Sequence, residues 1–496
     1  MESIKNEKKQ NILIYITLFL SSIVLLLLFN GDSPLYFFNM APDNTVYKTV
    51  AQRMLRGEVL YRDIYEHKGL YLYFYYMIKE FIHPFVVELI LDLIFVFTAY
   101  QTMHIFQNKK NTFLCTLFIN VADKSFGYLY HFGGQSETIG RVILMLLIYM
   151  LIRNYYIHQL KDISFQVFFI TGILTMILFM IKYTMMIFVV SFAFTLLITA
   201  LKEHTMKYYI RCFGIFLSGF AAGFIPALIY FIKTGSMKSF IQIYLFDVSL
   251  QYDPAKFNIS PIVFVALIVL FVLIAKKSVI RPIDMLIVSC LASLIFTAIA
   301  TRIYYFGMYM PFLTIAFIAL DDAVQHAQLM LDRSSRTGRI LIGVLYIGVL
   351  IALPVSFSAN MRFMTEKGFS NVAEGCTGSL KEVVDIINSS PDKTLLTRSD
   401  SCVLYLMTNT LPDTKYFINY NMVLEQHSTA YALSSYKEKK NYVNDAFNQY
   451  IDDGTHEFVF QYACNYINHK LYDKVGTYCI NGNYGKLEVM VLYQRK

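Results

Sequence analysis

Charged residues are scarce in this chain. Asp, Glu, Lys and Arg make up only 16% of its 496 residues, while 56% of the residues are hydrophobic. A soluble domain carries about 25% charged residues, and the mean hydropathy here is +0.47. The shortage of charge therefore excludes a chain built only of soluble domains and indicates a membrane protein.

Two further signals are missing from the sequence. The seven cysteines form no Cys-x-x-Cys pair, so we predict no zinc site. No small-residue cleavage site closes the apolar run that follows the N-terminal lysines, so the first helix is predicted to be retained rather than removed as a signal peptide. Disulfide pairing stays open for the four cysteines of the polar C-terminal region, Cys376, Cys402, Cys464 and Cys479.

What the sequence has in abundance is long apolar runs. A run of about twenty residues is long enough to cross a hydrocarbon core roughly 30 Å thick. Eleven such runs lie at about residues 11–30, 84–106, 112–130, 139–156, 165–181, 183–201, 209–232, 260–275, 283–300, 304–320 and 339–357. The predicted fold is an all-α polytopic membrane bundle of about eleven helices, followed by a small α/β domain.

The distribution of basic residues predicts the orientation. The net charge is +8, and Lys and Arg cluster in short segments such as 109–110, 202–211 and 276–281. With a cytoplasmic N-terminus, every such cluster falls on the cytoplasmic side, as the positive-inside rule requires. The basic charge thus belongs to membrane topology, and nucleic acid is not a predicted partner. We predict a multi-pass protein of the cell membrane.

The chain is predicted to have two domains, and eleven crossings from a cytoplasmic N-terminus place the second one outside the cell membrane. Residues 1–357 form the membrane domain, which includes a first outside loop at 31–83, and residues 358–496 form an extracytoplasmic α/β domain. In the second domain the patterns predict strands at 415–420, 457–462 and 488–493 and a helix over 427–450.

The first outside loop concentrates charged residues beside an apolar stretch. Asp43, Arg62, Asp63, His67 and Lys68 follow the first span, and the string continues directly into the aromatic segment GLYLYFYYM. Charges close to an apolar environment are costly and are therefore candidates for function.

These motifs resemble those of the GT-C superfamily of polytopic glycosyltransferases, in particular the bacterial branch of protein mannosyltransferases and aminoarabinose transferases. Asp43 matches the acidic residue that the family has early in this loop, and Gly57, Tyr61, Arg62, Asp63, His67, Lys68 and Gly69 match its second string. The resemblance covers roughly residues 1–357, and the family's proline pair is replaced by Gly69 and Leu70.

Three later segments extend the resemblance. HFGGQSETIGR is similar to the second outside loop, with Glu137 as its acidic residue, and FMIKYT places Lys182 between two spans. RIYYFGMYMPFL has Tyr304 and Tyr305 where the family has His-Tyr.

The resemblance implies an inverting transfer of a sugar from a polyprenyl-phosphate donor to an envelope acceptor, which could be a polysaccharide, a teichoic acid, a lipid or a protein. Asp43 would be the general base, and Lys68, Arg62 and Lys182 would stabilise the leaving phosphate. The implied substrate-binding set is Arg62, Asp63, His67, Lys68, Glu137, Lys182, Tyr304 and Tyr305. No cofactor is expected, and a divalent ion held by Asp43 and Glu137 is the alternative.

Simpler roles remain open for the same residues. Asp43 suits the start of a helix at PDNTVYKTV, Arg62 and Asp63 suit a surface ion pair, and Lys68 suits a headgroup contact. Alternative functions are a transporter or flippase for a lipid-linked glycan, a polysaccharide polymerase, and a receptor or scaffold role for the terminal domain. We find no internal repeat of the kind that transporters favour, and residues 233–259 contain no Arg.

Overall fold

A computed structural model shows how the chain folds. It describes residues 2–39, 41–125, 134–158, 164–247, 261–298, 306–328, 376–399, 401–418, 445–462, 465–481 and 487–496, and a few single positions between 347 and 372.

The described chain is mostly helical. Its helices are α1 Glu2–Phe29, α2 Pro42–Leu55, α3 Leu70–Phe81, α4 Pro84–His104, α5 Lys109–Ser125, α6 Ser136–His158, α7 Phe165–Lys182, α8 Met186–Lys202, α9 Met206–Thr234, α10 Met237–Phe240, α11 Pro261–Lys276, α12 Pro282–Ala298, α13 Phe306–Gln328, α14 Leu380–Ser389 and α15 Val403–Met407. A 3₁₀ turn, Tyr183–Met185, separates α7 from α8, and a π-helical segment, Ile241–Asp247, follows α10.

Helices coincide with ten of the predicted apolar runs; the run at 339–357 lies almost entirely outside the described residues. By length and composition, four described segments are able to cross a membrane: Lys8–Phe29, Pro84–His104, Phe165–Lys202 and Met206–Thr234. The polytopic helical architecture is thus confirmed, and the count of eleven spans stays a prediction.

Glycines allow two of these helices to approach closely. A Cβ atom added at Gly219 of α9 would collide with the carbonyl group of Phe169 in α7, and one at Gly172 of α7 would collide with the carbonyl oxygen of Phe216 in α9. Small residues at a membrane helix interface permit this backbone proximity.

The chain divides into two compact units. The first, called here the helical unit, contains Met1–Leu35, Ile82–Ala227 and Ile259–Ala359. The second, called here the mixed unit, contains Tyr36–Phe81, Leu228–Asn258 and Asn360–Lys496. The mixed unit therefore combines most of the predicted first loop with the C-terminal region.

A four-stranded sheet lies in the mixed unit. Its strands are β1 Leu395–Arg398, β2 Phe458–Tyr462, β3 Tyr472–Asn481 and β4 Leu487–Arg495. The spatial order is β1-β2-β4-β3: β1 pairs with β2 in parallel, and the other two pairings are antiparallel. The predicted small C-terminal sheet is present, and two of its four strands were predicted.

One predicted strand is wrong. Residues 415–418 are not a strand. The backbone of Lys415 forms a hydrogen bond outside the sheet, because its carbonyl oxygen accepts from the amide of Tyr65 at 3.0 Å. Residues 419–444, which hold most of the predicted helix 427–450, lie outside the described residues, and 445–452 are helical. Cys376 takes part in a disulfide bond, whereas Cys402 is buried and free.

Candidate functional site

Asp43 lies at the start of α2 in the mixed unit. Pro42 occupies the first helical position, where its fixed φ and missing N–H are tolerated. The N-cap residue is Ala41, which makes no side-chain capping bond, and Asp43 is the second residue of the helix. Its partly exposed carboxylate therefore does not occupy the capping position, although it meets the positive end of the helix dipole.

A strained turn carries the second motif. Tyr61 has a φ of +68°, in the left-handed region that bulky residues rarely adopt. The ring is fully buried against Phe231 and Phe240, and the amide donates to the carbonyl oxygen of Ile64 at 2.9 Å. The hydroxyl donates to the carbonyl oxygen of Lys68 at 2.6 Å. Tyr61 thus ties the turn to the backbone of the predicted phosphate-binding lysine.

Glu66, His67 and Lys68 form the centre of this region. Glu66 is completely buried, and its Oε1 lies 2.9 Å from Nδ1 of His67 and accepts from the His67 amide at 2.8 Å. Burial lowers the pKa of His67, and the charge of Lys68 lowers it further; the charges of Glu66 and Asp43 act in the opposite direction. Asp43 and Lys68 thus lie in the same unit as His67, and their charges shift its pKa in opposite directions.

Arg62 and Asp63 face each other at the surface. Nε and Nη2 of Arg62 donate to the two carboxylate oxygens of Asp63 at 2.9 Å each, and Nη1 donates to the carbonyl oxygen of Thr234 at 3.0 Å. Asp63 also accepts from the amide of Val59, and the guanidinium of Arg62 holds the pKa of Asp63 below its usual range. The surface ion pair is formed, so this guanidinium already has its partners.

Glu137 and Lys182 are partners in the helical unit. Glu137 is the second residue of α6 and Lys182 the last of α7, and both are nearly completely buried. The ammonium of Lys182 pairs with the carboxylate of Glu137, which also accepts from the Ser136 hydroxyl at 2.9 Å. Tyr304 and Tyr305 lie outside the described residues.

A buried ion network in the helical unit was not predicted from the sequence. Asp92 of α4 and Arg141 of α6 join Asp123 and Lys124 of α5, all of them at most about one-twentieth exposed. Lys124 pairs with both aspartates, lying 2.6 Å from Oδ2 of Asp123, and Arg141 pairs with Asp123. The interruption of an apolar run by Asp123 and Lys124 was the available signal; nothing in the sequence joins it to helices α4 and α6.

Two more residues of the mixed unit were not predicted. Glu66 stood among several charges of the loop without a sign that it alone would be fully buried. Arg53 is also fully buried, with its Nε 3.0 Å from both carboxylate oxygens of Glu58. Arg53 and Glu58 are only five residues apart in the sequence, which was a weak indication that they form an ion pair.

The possible metal ligands are groups of His, Cys, Asp and Glu side chains. Within the described residues, no group of three or more His, Cys, Asp or Glu side chains could hold a metal ion. Asp43 belongs to the mixed unit and Glu137 to the helical unit.

Chemically, the mixed unit offers a carboxylate, a cation and a histidine that is kept neutral near pH 7. A carboxylate can accept a proton from a hydroxyl, and an ammonium can stabilise an anion that leaves. The region is therefore suited to moving a group from a phosphate to a hydroxyl.

Comparison with known proteins was informative only at the level of structure. No family model matches the sequence, and no curated protein matches it. The fold is similar to that of ArnT from Cupriavidus metallidurans, in a structure bound to undecaprenyl phosphate, with a TM-score of 0.58, 9% identity and 98% of each chain covered.

A second similar structure is the archaeal oligosaccharyltransferase AglB from Archaeoglobus fulgidus, in complex with an inhibitory peptide and a dolichol-phosphate. The TM-score is 0.51 at 9% identity, covering 92% of this chain and 69% of AglB. Both proteins are members of the superfamily that the sequence motifs predicted. The chain thus shares the fold of these two proteins, and the four long apolar segments among its described residues support a multi-pass membrane protein.

Proposed function

We propose that this protein is a membrane glycosyltransferase that moves one sugar from a polyprenyl-phosphate donor to an acceptor of the cell envelope. The observation that carries the proposal is that Asp43 and Lys68 lie in one compact unit, with the backbone of Lys68 held by the hydroxyl of Tyr61 at 2.6 Å. An enzyme that attacks a sugar phosphate needs these two kinds of group close together.

The donor class is supported by the similar structures. ArnT binds undecaprenyl phosphate and AglB a dolichol-phosphate, and both are polyprenyl phosphates. A polyprenyl tail dissolves in the bilayer, so its phosphate lies at the membrane surface. The acceptor is an envelope hydroxyl on a polysaccharide, teichoic acid, lipid or protein.

The reaction is a single displacement at the anomeric carbon. The acceptor oxygen forms a bond to that carbon while the bond from the carbon to the phosphate oxygen breaks, and the electron pair leaves with the lipid phosphate. Asp43 takes the proton of the hydroxyl. One displacement inverts the configuration of the sugar.

Lys68 acts on the leaving group. Its ammonium attracts the phosphate as negative charge develops on it, which lowers the barrier most in a site from which water is excluded. The Tyr61 hydroxyl binds the backbone carbonyl of Lys68, and buried Glu66 contacts His67. These contacts restrain the backbone from which the Lys68 ammonium extends. Lys182 and Glu137 remain predicted substrate residues of the helical unit.

The location of the reaction follows from the charge bias of the loops. A cytoplasmic N-terminus places the loop with Asp43 and Lys68 and the C-terminal domain on the outer face of the cell membrane.

The test measures donor consumption. Purified wild-type protein is incubated with a panel of polyprenyl-phosphate sugars and candidate acceptors, and Asp43→Asn is compared with Asp473→Asn, an exposed carboxylate of β3. We expect Asp43→Asn to abolish transfer without loss of folding, and Asp473→Asn to retain it. Full activity of Asp43→Asn would remove Asp43 from the mechanism and defeat the proposal.

A second arm concerns the cation. Lys68→Ala is expected to weaken use of the lipid donor, whereas Lys474→Ala, at an exposed position of β3, is expected to leave it unchanged. Equal donor kinetics in the two variants would exclude Lys68 from phosphate binding.

A further inference from the structure

Helix α2, which presents Asp43, is largely buried within the mixed unit. On one side it packs against α3, where the ring of Tyr47 meets that of Tyr76 at 5.5 Å and the Tyr76 hydroxyl donates to Asn44 at 2.7 Å. Residues 401–418 of the C-terminal region form further hydrogen bonds to α2. Two sets of these contacts lie near opposite ends of α2.

The first set lies two residues after Asp43. The hydroxyl of Thr45, which is fully buried, donates to the carbonyl oxygen of Pro42 at 2.7 Å and accepts from the amide of Cys402 at 3.1 Å. The Ser401 hydroxyl lies 3.2 Å away. Since a hydroxyl has one proton to give, Ser401 is the donor in that contact, and the oxygen of Thr45 is saturated.

The second set surrounds Arg53. Nη1 of its fully buried guanidinium donates to the carbonyl oxygen of Thr414 at 2.9 Å, and the guanidinium lies 5.1 Å from the centre of the Phe417 ring. Nε and Nη2 are held by Glu58, so the fork is oriented from both sides. Thr45 and Arg53 are eight residues apart, about 12 Å along a helix.

Residues 401–418 are themselves fixed to the sheet. Oδ1 of Asp413 lies 2.9 Å from Nε2 of His456, just before β2, and His456 is buried. The hydroxyl of Tyr405 accepts from the amide of Thr397 in β1 at 3.0 Å. A continuous set of bonds thus runs from the sheet through residues 401–418 to both ends of α2.

We propose that residues 401–418 position the catalytic base: they hold α2 in the place from which Asp43 reaches the acceptor, with Thr45 and Arg53 as positioning residues. This inference rests on the proposed function and assigns the C-terminal region a task in catalysis rather than in acceptor binding. A base displaced by about 1 Å costs on the order of a hundredfold in rate. Because the side chains of Thr45 and Arg53 are fully buried, each would act through α2 and not directly on a substrate.

The test separates turnover from binding. Thr45→Val keeps the shape of the side chain but leaves the Cys402 amide without its acceptor, whereas Thr45→Ser keeps the hydroxyl. Arg53→Lys loses the planar fork, and Arg56→Lys, at an exposed position of the same helix end, is its matched control. The measurements are kcat and KM for a polyprenyl-phosphate sugar and for the acceptor, on full-length protein of equal folded fraction.

We expect Thr45→Val and Arg53→Lys to lower kcat roughly ten- to a hundredfold, with both KM values within about twofold. Thr45→Ser and Arg56→Lys should stay near wild type. A higher acceptor KM at unchanged kcat would overturn the inference and show that residues 401–418 bind the acceptor. Unchanged kcat in both variants would overturn it as well.

Ser401→Ala guards against a folding failure, since it changes no residue of α2 and removes only the hydroxyl that contacts Thr45 and accepts from the Val403 amide, each at 3.2 Å. A few-fold fall in its kcat is expected, and none at all would count against positioning. Asp43→Asn is measured in parallel. Activity that survives in Asp43→Asn defeats the proposed function, whereas loss there with full turnover in Ser401→Ala and Arg53→Lys defeats this inference alone.

Discussion

At the scale of single residues, His67 makes the stability of the protein depend on pH. Burial and Lys68 lower its pKa, so between its ordinary value and the lowered one the unfolded chain binds a proton that the folded protein refuses. Protonation therefore stabilises the unfolded state relative to the folded protein as the pH falls below about 6.5. Above that pH, both states are neutral at this position and the contribution vanishes.

We expect the melting temperature of wild type to fall more steeply from pH 7.5 to pH 5 than that of His67→Gln. Thermal unfolding of both proteins in the same detergent measures the difference, with His83→Gln as an exposed control. Parallel curves for wild type and His67→Gln would contradict the lowered pKa.

Tyr61 supports a second prediction at this scale. Tyr61→Phe removes the hydrogen bond to the Lys68 carbonyl, which should cost roughly 0.5–1.5 kcal/mol of stability and raise the KM for the donor because Lys68 is less firmly held. Tyr230→Phe is the matched control, since its hydroxyl accepts from the Leu60 amide at 3.0 Å and does not touch Lys68. A similar loss of stability without a change in donor KM is expected there.

The site residues that could be read from the sequence are those that are close in the chain. His67 and Lys68 belong to one string, and Asp43 precedes them in the same loop, so a motif was enough. Asp92 and Arg141 come together only by the packing of α4 against α6, and Arg53 meets Thr414 across most of the chain. Such contacts depend on tertiary structure, which no local pattern contains.

At the scale of elements, the contact of α7 with α9 offers a sharp test. Gly219→Ala would place a methyl group where the Phe169 carbonyl lies, so the two helices must separate. Gly214→Ala on the same helix meets no atom within 4 Å and is the matched control. We expect a melting temperature several degrees lower for Gly219→Ala and an unchanged or slightly higher one for Gly214→Ala, because alanine favours the helix.

Helices and strands were predicted correctly where the length or periodicity of apolar residues determines the structure. They were predicted poorly where contacts with distant parts of the chain determine it. Ten apolar runs became helices because apolar length alone determines such segments. The segment KYFINY has the composition of a strand, yet Phe417 and Ile418 are both buried and the backbone of Lys415 bonds to Tyr65. Consecutive residues are buried in β1 too, so it is the bond of Lys415 to Tyr65, outside the sheet, that decides against a strand.

At the scale of the whole molecule, the orientation in the membrane is open to direct measurement. Cysteine introduced at Lys474, exposed on β3, should react in intact cells with a maleimide that does not cross membranes. Cysteine at Val279, 72% exposed between α11 and α12, should react only after lysis. The wild type is the blank, since its described free cysteines are buried or half-buried. The reverse pattern would invert the predicted topology.

The hydrogen bond from Arg53 to Thr414 joins residues 361 positions apart in the chain. At about 5–20 residues per second, the ribosome needs roughly 20–70 seconds to deliver the second partner after the first. Throughout that interval Arg53 can pair with Glu58, but the helix that bears Asp43 lacks its hydrogen bond to the C-terminal region. If the proposed function holds, a partly synthesised copy already inserted in the bilayer would transfer sugar far more slowly than the finished protein, and its rate would rise only after Thr414 has been added.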